Sequence, residues 1–97
     1  MYTEGSNTVG SFTFEAIFTP GHTPGGVCLL FRNDCLTGDT LFRGSVGRSD
    51  FPYSDTKLLF RMIDEKLMTL SSDITIWPGH GSKSTIGHER IHNPYLR

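Results

Sequence analysis

The apolar positions fall into short runs set between glycine- and proline-bearing turns. Phe12-Thr13-Phe14-Glu15-Ala16-Ile17-Phe18 alternates at its start and becomes apolar at its end, which predicts a strand that runs into a core. Val27-Cys28-Leu29-Leu30-Phe31 is unbroken and predicts a buried strand. Arg32-Asn33-Asp34 predicts a tight turn, with Asn and Asp tolerating the left-handed region. Cys35-Leu36-Thr37 then returns as the partner strand, in a hairpin that ends at Gly38-Asp39. Leu58, Leu59, Met62, Ile63, Leu67 and Leu70 recur at three- and four-residue steps. They predict one amphipathic helix, capped by Ser54 or Asp55 and ended by Ser71-Ser72-Asp73. Ile74-Thr75-Ile76-Trp77 reads as a strand stopped by Pro78. Thr85 caps a second helix from Ile86 to about His92, before Asn93-Pro94. Two stretches have no period. Residues 1–10 read as a frayed lead-in or a turn at Glu4-Gly5, and residues 43–54 as a long loop over a site.

Strands apolar on both faces, with helices that carry one apolar stripe each, imply an α/β arrangement with the helices on one face of a sheet. The other sheet face is too apolar for water, so it calls for a partner, and a homo-oligomer through that face is the expectation. At 97 residues there is room for a single small domain over 1–97. The net charge of −1 and the lack of a basic stripe argue against a nucleic-acid partner. No apolar run approaches the roughly 20 residues of a membrane span, and Met1-Tyr2-Thr3-Glu4-Gly5 has no signal-peptide character. Cys28 and Cys35 are too few for a disulfide framework and lack C-x-x-C spacing. They read as buried free thiols in a reducing cytoplasm.

The polar residues of interest stand in the turns. His22 sits in Thr19-Pro20-Gly21-His22-Thr23-Pro24-Gly25-Gly26, where two prolines fix φ and stiffen the loop. Asp39 follows Thr37-Gly38, and His80 follows Pro78-Gly79. Each closes a short apolar run, so His22, Asp39 and His80 are expected to converge at the ends of strands. Imidazole and carboxylate are ligands of catalytic zinc, and they also suit iron and manganese. Singly, each has a plainer explanation: a loop histidine bonded to backbone, or an aspartate serving a turn or a helix cap.

The runs Thr19-Pro20-Gly21-His22-Thr23-Pro24-Gly25, Thr37-Gly38-Asp39-Thr40-Leu41-Phe42, Gly47-Arg48-Ser49-Asp50 and Pro78-Gly79-His80-Gly81 resemble the metallo-β-lactamase fold hydrolases, in particular their glyoxalase II-like (hydroxyacylglutathione hydrolase-like) branch. The ending Thr85-Ile86-Gly87, Glu89, Asn93-Pro94 and Leu96 resembles the short bacterial members. The resemblance implies the C-terminal half of an αββα sandwich with a mixed, mainly antiparallel sheet. It implies His22 on a first metal, Asp39 bridging two metals as the catalytic carboxylate, and His80 on the second. It implies two zinc ions, with iron or manganese as alternatives, and a bridging hydroxide that attacks an acyl thioester. Arg48 matches a cation that contacts the substrate carboxylate; its residue-level alternative is an ion pair with Asp50. The family's T-H-x-H-x-D-H motif, which supplies four ligands, is absent here. The chain alone is therefore expected to be inactive and to hold metal weakly or not at all. Two other readings stand beside this one. The first is a non-catalytic half-domain that self-associates or complements an N-terminal half. The second is a small metal- or anion-binding domain. His88 and His92 match no family ligand and read as surface residues of the last helix.

Overall fold

A computed structural model describes residues 3–96; Met1, Tyr2 and Arg97 lie outside the described residues. In chain order the elements are β1 (Gly5–Val9), β2 (Phe12–Phe18), β3 (Val27–Phe31), β4 (Asp34–Gly38), β5 (Leu41–Phe42), β6 (Ser45–Val46), α1 (Thr56–Met62), a π-helical segment (Ile63–Leu67), β7 (Thr75–Pro78), β8 (Ser84–Thr85) and α2 (Ile86–His92). Six strands form one sheet in the order β1-β2-β3-β4-β7-β8, and β5-β6 form a small hairpin. All pairings are antiparallel except β4 with β7.

Strand alternation divides the sheet into two faces. Ile17 opposite Cys28, and Leu30-Cys35-Ile76 in register across three strands, point to one side. There they join Leu59, Ile63, Leu67 and Ile86 from the helices in a single core. Cys28 and Cys35 are fully buried free thiols in that core. The hydrogen bond to Cys28, together with burial, pushes the Cys35 thiol up. The opposite face carries a second row, Ala16-Leu29-Leu36-Trp77, also in register. Leu36 is 40% exposed, Trp77 42% and Phe12 51%. The two-sided apolar character read from the sequence is thus present, with helices covering only one side.

Four local expectations change. Gly5–Val9 is not frayed: it is an edge strand paired with Phe12–Ala16, and the chain turns at Gly10-Ser11 rather than at Glu4-Gly5. Lys66 anchors this edge by donating to Glu4 Oε2 at 2.7 Å and to the Phe18 carbonyl at 2.9 Å. The β3–β4 turn takes its positive φ at Arg32 (56°), not at Asn33 or Asp34. Residues 43–54 begin in the β5-β6 hairpin before becoming irregular. The predicted single helix becomes α-helical, then π-helical, where Met68 N donates to Ile63 O at 2.9 Å. This widened turn is a π-bulge between the buried Ile63 and Leu67.

The predicted caps hold. Asp55 accepts from Leu58 N and Thr85 accepts from His88 N, each at 3.0 Å, satisfying N–H groups that a helix start leaves free.

Candidate metal centre

Three turns bring their polar residues to one rim of the sheet. The His22 turn is closed by Thr19 N donating to Gly26 O at 2.9 Å and is fixed to the start of α1. Asp55 N donates to Gly21 O at 2.8 Å, and Ser54 Oγ to His22 O at 2.8 Å. Gly21 has φ +145°, and a Cβ there would lie 2.4 Å from Leu59 Cα. Only glycine lets the turn and the helix approach this closely. Asp39 follows a register shift between Leu36 and Gly38, where β4 leaves its parallel partner β7. Such an irregularity re-aims the next side chain. Gly79 N donates to Gly38 O at 2.9 Å, tying the His80 turn to the same spot.

The resulting geometry is centred on one carboxylate. Asp39 Oδ2 faces His22 Nε2 at 3.9 Å, and Asp39 Oδ1 faces His80 Nε2 at 3.7 Å. The His22 ring is 20% exposed, that of His80 82%. His22 Nδ1 lies 2.6 Å from the Arg48 carbonyl. A carbonyl only accepts, so Nδ1 is the donor, and in the neutral ring Nε2 carries the lone pair. That nitrogen faces Asp39 Oδ2 across 3.9 Å, a gap into which a cation fits between two donors. His80 stacks on Phe42 with ring centroids 6.4 Å apart.

In kind, these donors fit zinc, iron or manganese. In number they fall short: each side of Asp39 offers one imidazole nitrogen and one carboxylate oxygen, whereas a catalytic zinc usually takes three protein ligands. Among the described residues no group of three or more His, Cys, Asp or Glu is arranged to hold an ion by itself.

Arg48 stands beside His22 but is engaged. Its guanidinium donates to Asp50 from Nε at 3.2 Å and from Nη2 at 3.1 Å, and lies 4.6 Å from the Phe51 ring centroid. The pair is well exposed. The Arg48 hydrogen bond, and then the Asp50 backbone, hold the Asp50 carboxyl below its ordinary value.

Several supporting residues stand in the quoted motifs, but nothing in the sequence showed the contacts they make. Buried Thr19 and Thr40 hydroxyls lie 3.2 Å apart beneath the rim, and Thr37 Oγ1 donates to Leu41 O at 2.7 Å. Gly47 N donates to Thr40 O at 2.9 Å. A Cβ on Gly47 would fall 1.9 Å from Asp39 O and 3.3 Å from His22 Cβ. The hairpin leading to Gly47 is held from the far side by α2. Glu89, fully buried, accepts from Gly44 N at 2.8 Å, Asn93 Nδ2 at 2.9 Å and Ser84 Oγ at 2.5 Å. Asn93 Nδ2 also donates to Ser45 O at 3.1 Å.

The chain belongs to the metallo-beta-lactamase superfamily, which it matches over residues 1–80. It is 46% identical over 87 residues to the hydroxyacylglutathione hydrolase GloC of Haemophilus influenzae, a match that spans 88% of this chain and 41% of that protein. It superposes on the crystal structure of the BLEG-1 B3 metallo-beta-lactamase with a TM-score of 0.94 at 40% identity, over 99% of this chain and 47% of that one. A di-iron-bound form of TTHA1623 matches with a TM-score of 0.87 at 39% identity, over 98% and 47% of the two chains. The chain thus spans less than half the length of these relatives.

Proposed function

We propose that this chain is the C-terminal part of the metal site of a metal-dependent hydrolase acting on acyl thioesters, as in the glyoxalase II-like branch. Asp39 would be the carboxylate shared by the bound ions, with His22 and His80 as the imidazole ligands beside it. Bound divalent ions there supply a water acidified to a pKa of roughly 7 and a Lewis acid for a carbonyl. The residues of this chain hold and orient. The Arg48 carbonyl fixes the His22 tautomer, and the Gly47 and Gly79 backbones leave space against Asp39. The exposed Arg48 guanidinium is the cation we assign to a substrate carboxylate, in competition with Asp50. Zinc is the first choice of metal, with iron and manganese as alternatives. The two buried free thiols suit a reducing cytoplasm.

The observation that carries this reading is one carboxylate with an imidazole nitrogen opposite each oxygen. Family membership supports hydrolase chemistry, and the name of the GloC relative supports a glutathione thioester. The test is metal content and thioester hydrolysis, measured on this chain and on a longer polypeptide that contains it together with an H-x-H-x-D-H segment. Turnover and metal are expected in the longer polypeptide and little of either in the 97-residue chain; a metal-free, inactive longer polypeptide would overturn the reading.

A second reading is favoured by the row Ala16-Leu29-Leu36-Trp77 on the uncovered sheet face. There the chain is a non-catalytic half-domain that pairs this face with another copy or with a separate N-terminal half. Sedimentation distinguishes it: a stable dimer supports it, and a well-folded monomer at micromolar concentration counts against it.

A further inference from the structure

Helix α2 carries a second pair of imidazoles, which shares no residue with the centre around Asp39. His88 and His92 are four residues apart, so they lie on the same face one turn from each other. Their ring centroids are 4.8 Å apart, with planes inclined at 42°. Among the described residues, the ring nitrogens have no hydrogen-bond or ion-pair partner, and the contact between the two rings is the one they make.

Two histidines at i and i+4 on one helix face are a spacing that chelates a single borderline-soft ion. From this we propose that His88 and His92 form a second, exchangeable site for a transition-metal dication such as Cu²⁺, Ni²⁺ or Zn²⁺.

The surroundings set its character. Arg90 lies between the two histidines in sequence but is turned away. It donates to Met68 O at 2.7 Å, Leu70 O at 2.8 Å and Ser72 Oγ at 2.7 Å, so its charge is committed to the opposite side of the helix. Glu89 points inward and is satisfied there. His92 lies in the last turn, whose free carbonyls favour a cation. Arg43 and Lys83 share a shallow groove with His88. Arg43 is drawn to the Lys83 carbonyl at 3.3 Å, and Lys83 Nζ lies 5.2 Å from the Trp77 ring centroid. These two cations weaken the site without blocking it. Two nitrogen donors with the remaining positions open to water select Cu²⁺ over Ni²⁺ and Zn²⁺, and exclude Mg²⁺ and Ca²⁺, which require oxygen ligands. The site is a surface chelate rather than a closed structural cage.

The test is a Cu²⁺ titration of the full chain followed by electron paramagnetic resonance, with H88Q, H92Q, H88Q/H92Q and H22Q/H80Q as variants. In the wild type one cupric ion should show hyperfine coupling to two imidazole nitrogens. Because the second imidazole binds intramolecularly, either single variant should weaken this ion by about a hundredfold and leave one coupled nitrogen. The double variant should abolish the signal. H22Q/H80Q should retain it, and Mg²⁺ should not compete. Far-UV circular dichroism checks that each variant keeps its helix. The proposal is overturned if H88Q and H92Q bind copper as the wild type does. It is overturned equally if the two-nitrogen signal disappears in H22Q/H80Q instead, because the ion would then belong to the Asp39 centre.

Discussion

His22 presents Nε2 to Oδ2 of Asp39 across 3.9 Å, while its Nδ1 donates to the Arg48 carbonyl at 2.6 Å. One side of the ring is fixed by backbone, so the other side is left to bind. Outer hydrogen bonds of this kind orient metal-binding histidines and set their tautomer. In the proposed centre the Arg48 backbone thus has a part separate from its side chain, which is paired with Asp50.

Nitrogen-resolved NMR of the metal-free chain at pH 7.5 should find His22 with its proton on Nδ1. His80, which is largely exposed, should show the ordinary mixture. A His22 protonated on Nε2 would mean that the ring is held some other way.

Gly47→Ala should damage the rim without touching a ligand. The added methyl would meet Asp39 O at 1.9 Å, so the loop or Asp39 has to move. Overpacking of this kind costs about 1–3 kcal/mol, readable as a lower urea midpoint. Metal affinity of the longer polypeptide should fall in parallel. Unchanged stability and affinity would show that the loop does not press on Asp39.

Glu89→Ala removes three hydrogen bonds from a fully buried carboxylate and leaves Gly44 N, Ser84 Oγ and Asn93 Nδ2 to be re-satisfied. Loss of a buried polar network on this scale should destabilise by about 3 kcal/mol or more. Hydrogen exchange should localise the loss to the β5-β6 hairpin and α2. A uniform, small effect would argue that the hairpin is held by other contacts.

Acid should loosen the periphery first. The Lys66 hydrogen bond, and then the Phe18 amide, hold the Glu4 carboxyl below its ordinary value. Arg48 does the same for Asp50. Both carboxyls bind protons more weakly folded than unfolded, so their contribution is complete above the ordinary carboxylate range. It is lost as pH falls through their lowered folded values. The urea midpoint should therefore be flat from pH 7 to about 5 and decline below about 4. Both groups are exposed, so the slope is shallow, and E4Q/D50N should flatten it further. A decline that begins near neutrality would point to other groups.

The apolar runs made the sheet and the helix stripe legible, because burial against one core follows directly from spacing. Asp55 and Thr85 were legible for a different reason: short polar residues before an apolar stripe satisfy helix N–H groups. The edge strand Gly5–Val9 was not. Its residues are mostly polar, and it is ordered by pairing with β2 and by Lys66, which is distant in sequence. The burial of Glu89 was equally hidden, since a glutamate beside Arg90 on a short helix reads as solvated. Its partners come from Gly44 and Ser84, which only the fold brings near. For His22, Asp39 and His80, the stiff turns and their convergence were legible in the sequence; what was not legible is how the turns are tied together, through the register shift before Gly38 and the Gly79 N to Gly38 O hydrogen bond.

The most direct measurement is the zinc, iron and manganese retained by the longer polypeptide after dialysis, compared with its Asp39→Asn variant. Outer-sphere changes cost metal affinity about 10–100-fold, so loss of a carboxylate shared by two ions should cost more and leave both positions largely empty, with the fold intact by circular dichroism. Equal metal content in the two proteins would contradict the placement of Asp39 between His22 and His80 as the ligand that unites the centre.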